Sequence, residues 1–401
     1  AVRAARRAAT EGDREAARRD ARRRKRGLRR DAARWAGQML LRRALGEDGL
    51  RERLTAFWAD HFTAVGKGAL MRELHTPHVE QAVRPHVAGR FSEMVRAVAT
   101  QPMMLRYLDQ HRSVGPNSRA AERNRRLGGL NENLAREMLE LHTLGPAGPY
   151  DQADVRELAE LLTGLTFNAR DGFVFRADRA EPGAETVLGV SYGGRGGRLS
   201  DIHAALDDLA THPATARHIA KKLAVHFVSD APAPDLVAHM AARFAAADGD
   251  LAQVYAAMLE HPAAWDPVAR NVKAPVDFVG SALRALDIVP GHLPRDRPGE
   301  MRDTLLTPLA LMGQEWARPL APDGWPEDDA AWITPQRLAA RLQWAMSAPF
   351  LLRKVLPDPR DFVHVALGAR APNDVIAAAR ASESRAEGIG VVLASPAFQR
   401  H

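Results

Sequence analysis

The chain runs to 401 residues, 46% of them hydrophobic, and contains no cysteine. That length supports two or three domains, and the missing cysteines exclude disulfides, thiolate metal sites and cysteine nucleophiles. The formal charge of +7 is unevenly spread: residues 1–45 hold 16 basic and 5 acidic side chains, the remainder 40 and 44. The basic surplus therefore belongs to an N-terminal arm, and the mildly acidic body offers no general attraction for nucleic acid. No stretch approaches the roughly 20 apolar residues that span a bilayer.

Ala and Arg, both good helix formers, dominate residues 1–45 and predict a solvated helix. Its run Arg22 to Arg26 would attract a nucleic acid or an anionic membrane. The plainer reading is an exposed helix, because Trp35 stands alone as a base-stacking ring. From Leu54 the period is helical: Leu54, Phe57, Trp58, His61 and Val65 form one apolar stripe. A second helix is predicted to begin near Pro77. A third spans Asn131 to Thr143 and stops at Gly145 and Pro146. Asp151 and Asp154 open a fourth with an acidic cap, burying Val155, Leu158, Ala159 and Leu162.

Phe167 to Tyr192 is the one β-like region. Phe173 and Phe175 alternate with their neighbours, Thr186 to Val190 forms a second run, and the Asp, Pro and Gly between them predict one hairpin with a long loop. Helices resume at Ser200, with Pro213, Pro234 and Pro275 each placed to begin one. The expected fold is all-α (mainly helical) with one small β-hairpin. It comprises a basic helical arm 1–45 and a body 46–401, divided into a helical lobe 46–165, hairpin and loop 166–199, and a helical lobe 200–401.

Several strings are distinctive. Phe57-Trp58-Ala59-Asp60-His61-Phe62 is followed by Asn131-Glu132-Asn133-Leu134-Ala135-Arg136-Glu137, which continues through Met138 to Gly145. Tyr150 to Val155, His212 to Ala216, Lys273-Ala274-Pro275 and Pro322-Asp323-Gly324-Trp325-Pro326 come later. In this order, over about residues 40–401, they resemble the bacterial family called domain of unknown function 1800. The resemblance implies a helical bacterial protein, often exported and often encoded beside a partner protein. It implies no reaction. Members usually begin with a further helical segment, so the chain is expected to lack its start, and its localisation stays open. Many also carry a His-Asp pair in the hairpin loop, where this chain reads Arg179-Ala180-Glu181-Pro182.

The third helix carries the densest polar chemistry. At 100° per residue, Asn133, Arg136, Glu137 and Glu140 share one face, and Leu134, Ala135, Met138, Leu141 and His142 the other. Glu132, Arg136 and Glu140 lie four apart, so one guanidinium could bridge two carboxylates. In an enzyme Glu137 or Glu140 would be the acid/base and Arg136 would orient it, with Asn131, Glu132, Asn133 and Trp58 binding substrate. In a scaffold the same groups form an ion-pair network. His61 and His142 both sit on inward faces; with Asp60, Glu137 or Glu140 they would suit a divalent metal such as Zn²⁺ or Fe²⁺. No recognised ligand spacing is present, and a hydrogen-bonded core histidine is the plainer reading of each.

Gly189-Val190-Ser191-Tyr192-Gly193 matches the Gly-x-Ser-x-Gly elbow, but glycines follow it where a helix is needed. Asp323 to Pro326 reads as a turn with an aromatic anchor. Two readings of function stand: a metal-dependent enzyme with its site on the 131–142 helix, and a non-catalytic binding or assembly protein acting with a protein partner. Outside the basic arm there is no nucleic-acid motif.

Overall fold

Prolines and capping side chains set where many helices start. Pro213–Phe227, Pro234–Ala246 and Pro275–Ala285 each open on the expected proline. Its ring fixes φ near the helical value, and its missing N–H falls where no intrahelical acceptor exists. Asp151 and Asp154 close a capping box on Gln152–Leu161, and Asp48 caps Gly49–His61 by accepting from the Arg51 amide. The computed structural model describes residues 11–67, 74–124, 126, 129–194, 196–266 and 271–401. The chain is mainly helical, and among the described residues no helix is long and apolar enough to cross a membrane.

The single expected hairpin is two. Strand β1 (Leu165–Asn168) pairs antiparallel with β2 (Gly172–Phe175), Leu165 lying opposite Phe175. Strand β3 (Ala184–Val187) pairs with β4 (Val190–Gly193), Val187 lying opposite Val190. Each pair has its own turn chemistry. Asn168 Oδ1 accepts from the amides of Arg170 and Asp171, a side-chain turn typical of Asn. Leu188 and Gly189 both take positive φ, 51° and 79°, as a two-residue type I′ turn requires. Ser191 lies exposed on β4, so the serine-elbow geometry is absent.

The Asn131–Thr143 segment departs from a uniform helix. It is α-helical over Asn133–Glu137 and π-helical over Met138–His142. The wider i→i+5 turn shifts the inward face. Leu139 is therefore fully buried beside Met138 and His142, whereas Leu141 is only partly buried.

Two apolar cores organise the molecule. The first gathers buried side chains between Leu54 and Met258, with Trp58, Phe62, Phe91 and Phe244 at its centre. The second joins Ala33, Ala36, Leu40, Leu41 and Ala44 to residues from Phe278 to Phe398. The basic arm is the helix Glu11–Leu45. Its early turns are exposed, but its last turns pack against the Pro275–Ala285 helix as core. The 33, 36, 40, 44 spacing that achieves this is an apolar stripe masked in composition by arginine.

Candidate functional site

The structure brings His61 and His142 together. Both are buried, with ring centroids 6.0 Å apart, and His61 Nε2 lies 3.1 Å from the His142 carbonyl oxygen, to which it donates. Burial, with Lys222 nearby, pushes both imidazoles well below their usual range, His142 to about 3. Both Nδ1 atoms lack a partner among the described residues. Trp58 is fully buried in the first core, donating through Nε1 to the Tyr255 hydroxyl at 2.6 Å, which donates in turn to the Val87 carbonyl.

The polar face of the 131–142 segment divides. Arg136 bonds Glu132 and the Gln152 side chain at the surface, so the bridge runs to an amide and leaves Glu140 out. Asn131 Oδ1 accepts from the Asn133 amide. Glu137 is half-buried, and burial, then Glu140 and Asp323, push its carboxyl up to about 7. Asp323 belongs to the loop 322–327, which reaches across from the second core.

That loop forms one wall of a cleft of about 130 Å³ between the cores. Its polar lining includes Asp60, His226, Asp277, Glu327 and His401 among alanines, valines and three tryptophans. Asp60 follows the apolar stripe of Gly49–His61 but points the other way. Its carboxyl accepts from the Trp325 amide at 3.0 and 3.1 Å. Gly324 (φ 94°) passes so close that a Cβ there would meet Asp60 Oδ2 at 2.5 Å, so a side chain would expel the loop. Burial pushes Asp60 up to about 8, with Glu327 and Asp323 adding and Lys222 opposing. Within the same cleft His226 Nδ1 meets Glu327 at 2.8 Å. In a neutral ring that contact fixes the Nδ1–H tautomer and leaves the lone pair on Nε2.

A family model, described as protein of unknown function, matches residues 2–400, essentially the whole chain. The chain belongs to the DUF1800 family. No curated protein and no solved structure matches it. The DUF1800 match takes in the basic arm, beyond the 40–401 stretch covered by the distinctive strings, in keeping with the arm's last turns being core.

In this DUF1800 chain the cleft sets Asp60, expected above only as a companion of His61 and His142 in a metal site, beside His226 and Glu327. Asp60 and Trp325 lie 265 positions apart, His226 and Glu327 101 apart, and no local spacing announces either pair. The Asp323 to Pro326 string, read above as a turn with an aromatic anchor, supplies the wall, and its glycine makes the close approach to Asp60. Among the described residues, the one trio of metal-capable donors gathered within 4.8 Å is Glu157, Glu160 and Glu185. It sits where the Gln152–Leu161 helix meets β3, away from His61 and His142, and the neighbouring carboxylates add to burial in raising Glu185 to about 8.

Proposed function

We propose that the chain is an enzyme carrying out acid–base chemistry in the cleft between the two cores. The observation that carries this reading is a buried carboxyl, Asp60, sharing a mostly apolar cleft with an imidazole oriented by a carboxylate. A carboxyl held protonated by burial, beside an imidazole oriented by a carboxylate, can serve as acid and base. Asp60, protonated at neutral pH, donates to a developing oxyanion or leaving group. His226, steadied by Glu327 at Nδ1, accepts a proton through Nε2, the arrangement that orients a general base. Glu137, pushed up to about 7 by burial, Glu140 and Asp323, is a second titrating group, outside the cleft's lining. The reaction class this supports is hydrolysis or elimination on a small molecule with an apolar body.

The test is turnover of a panel of p-nitrophenyl esters, phosphates and glycosides. Asp60→Asn and His226→Gln are each expected to lower kcat/KM by about a hundredfold or more, with folding retained by circular dichroism. Elemental analysis of the tag-free protein runs in parallel. A stoichiometric transition metal lost on His61→Ala or His142→Ala would replace this reading with a metal-dependent one. Variants that retain full turnover would overturn it.

The assembly reading has one observation in its favour. Leu338, Leu342, Met346 and Phe350 stand exposed at four-residue spacing on the helix Pro335–Leu352, a stripe of the kind that marks protein contacts. A folded chain that turns over nothing in the panel would bring this reading forward.

A further inference from the structure

Beside the cleft lies a second cavity of about 220 Å³, lined by Arg43, Arg53, Lys273 and Arg284 with Asp277 and His401. Its cations outnumber the carboxylates available to them. Glu52, also on its wall, is engaged by Arg84 through two bonds, 2.6 and 2.8 Å, and Asp277 is taken by Arg43 at 2.5 Å. Gly280 lets the Arg43 stem lie against its helix, since a Cβ there would meet Arg43 Cδ at 2.9 Å. Among the described residues, Arg53, Lys273 and Arg284 form no ion pair with a carboxylate. Lys273 donates to the Phe398 carbonyl, Arg284 to the Gly46 carbonyl, and Arg53 to His401 Nε2 at 2.6 Å.

The last contact fixes two unmet donors. A guanidinium only donates, so His401 Nε2 accepts and its proton sits on Nδ1. That Nδ1 is buried without a partner, and so is Nε of Arg53. Buried donors without acceptors are costly, and both belong to residues on the wall of a cation-rich cavity. An oxyanion supplies the lone pairs and the charge together, and planar guanidinium groups suit carboxylate and phosphate.

We infer that this cavity binds the oxyanion group, carboxylate or phosphate, of a small molecule, held by Arg53, Lys273 and His401 with Arg284 at its rim. Arg43, Asp277 and His401 line both cavities, so the anion lies next to the acid–base cleft. If the proposed enzyme reading holds, its substrate is an anionic molecule whose apolar body reaches towards Asp60. The cavity's own anion binding does not depend on that reading.

Isothermal titration of the full chain with inorganic phosphate and, separately, acetate tests the site without any turnover. Saturable binding is expected for at least one, and the stronger of the two identifies the group. Arg53→Gln should weaken it by about tenfold or more. Arg284→Gln, an exposed change that gives up one bond to the Gly46 carbonyl, should weaken it less but measurably, with folding checked by circular dichroism. Asp60→Asn should leave it intact, which separates failure of the catalytic reading from failure of this one. No saturable binding of either anion, or binding unchanged in both arginine variants, would overturn the inference.

Discussion

Replacing Asp60 with Asn should make the protein more stable above about pH 4 while removing its proton donor. Burial raises the folded carboxyl from 3.8 to about 8. Between those values the unfolded chain carries Asp60 ionised and the folded chain carries it protonated. Folding therefore takes up a proton, and stability falls as pH rises through the window. Asn has no such proton to take up, and its carbonyl oxygen can still accept from the Trp325 amide. The stability gap in favour of the variant should be near zero below pH 4, widen by up to roughly 1.4 kcal/mol per pH unit, and level off above 8. Urea unfolding at pH 4, 6, 8 and 9 reads this directly. A gap independent of pH would mean that Asp60 is not held protonated. A gain in stability joined to a loss of turnover is what a destabilised functional group predicts.

Asp277→Ala should be among the most damaging single changes in the chain. Asp277 is enclosed, and despite that burial Arg43 and Arg53 hold its carboxyl down, to about 2. Removing it leaves Arg43 buried and uncompensated, a loss of about 3–5 kcal/mol, seen as a lower urea midpoint. The sign of its pH dependence is opposite to that of Asp60. A depressed carboxyl stabilises the fold above its unfolded value of 3.8 and loses that contribution as pH falls towards 2. Wild type should thus lose about 2 kcal/mol over that interval that the variant does not. If the two chains unfold at the same midpoint at pH 7, the ion pair is not holding the arm helix against the Pro275–Ala285 helix.

Helix starts, the apolar stripe from Leu54 as far as His61 and the capping box at Asp151 were legible because they depend on neighbours three or four residues apart. The stripe's expected last member, Val65, lies beyond the helix, which stops at His61. The second hairpin was obscured because Leu188 at positive φ is an unusual first residue for a type I′ turn. The face of residues 138–142 was misjudged because periodicity assumes an α-helix and cannot foresee a π turn. His61 and His142 did meet, since both were marked by inward faces. The cleft could not be read at all: Asp60 sits one place before a core histidine, and its partners arrive from a loop more than 260 residues away. A single sequence records such encounters only as odd residues, here a carboxylate beside a stripe and a glycine before a tryptophan.

The order of the two cores along the chain bears on how the protein is made. The first core is built from residues 54–258, while the second needs residues 33–44 together with 278–398. During synthesis the Ala33–Ala44 face emerges before the first core, and its partners only after it. The first core can condense while that face still waits in water, and the long-range closure comes at the end. The cleft, bounded by both, comes into being only once the second core's later residues have followed, so a product cut short after the first core would carry Asp60 without the loop that encloses it.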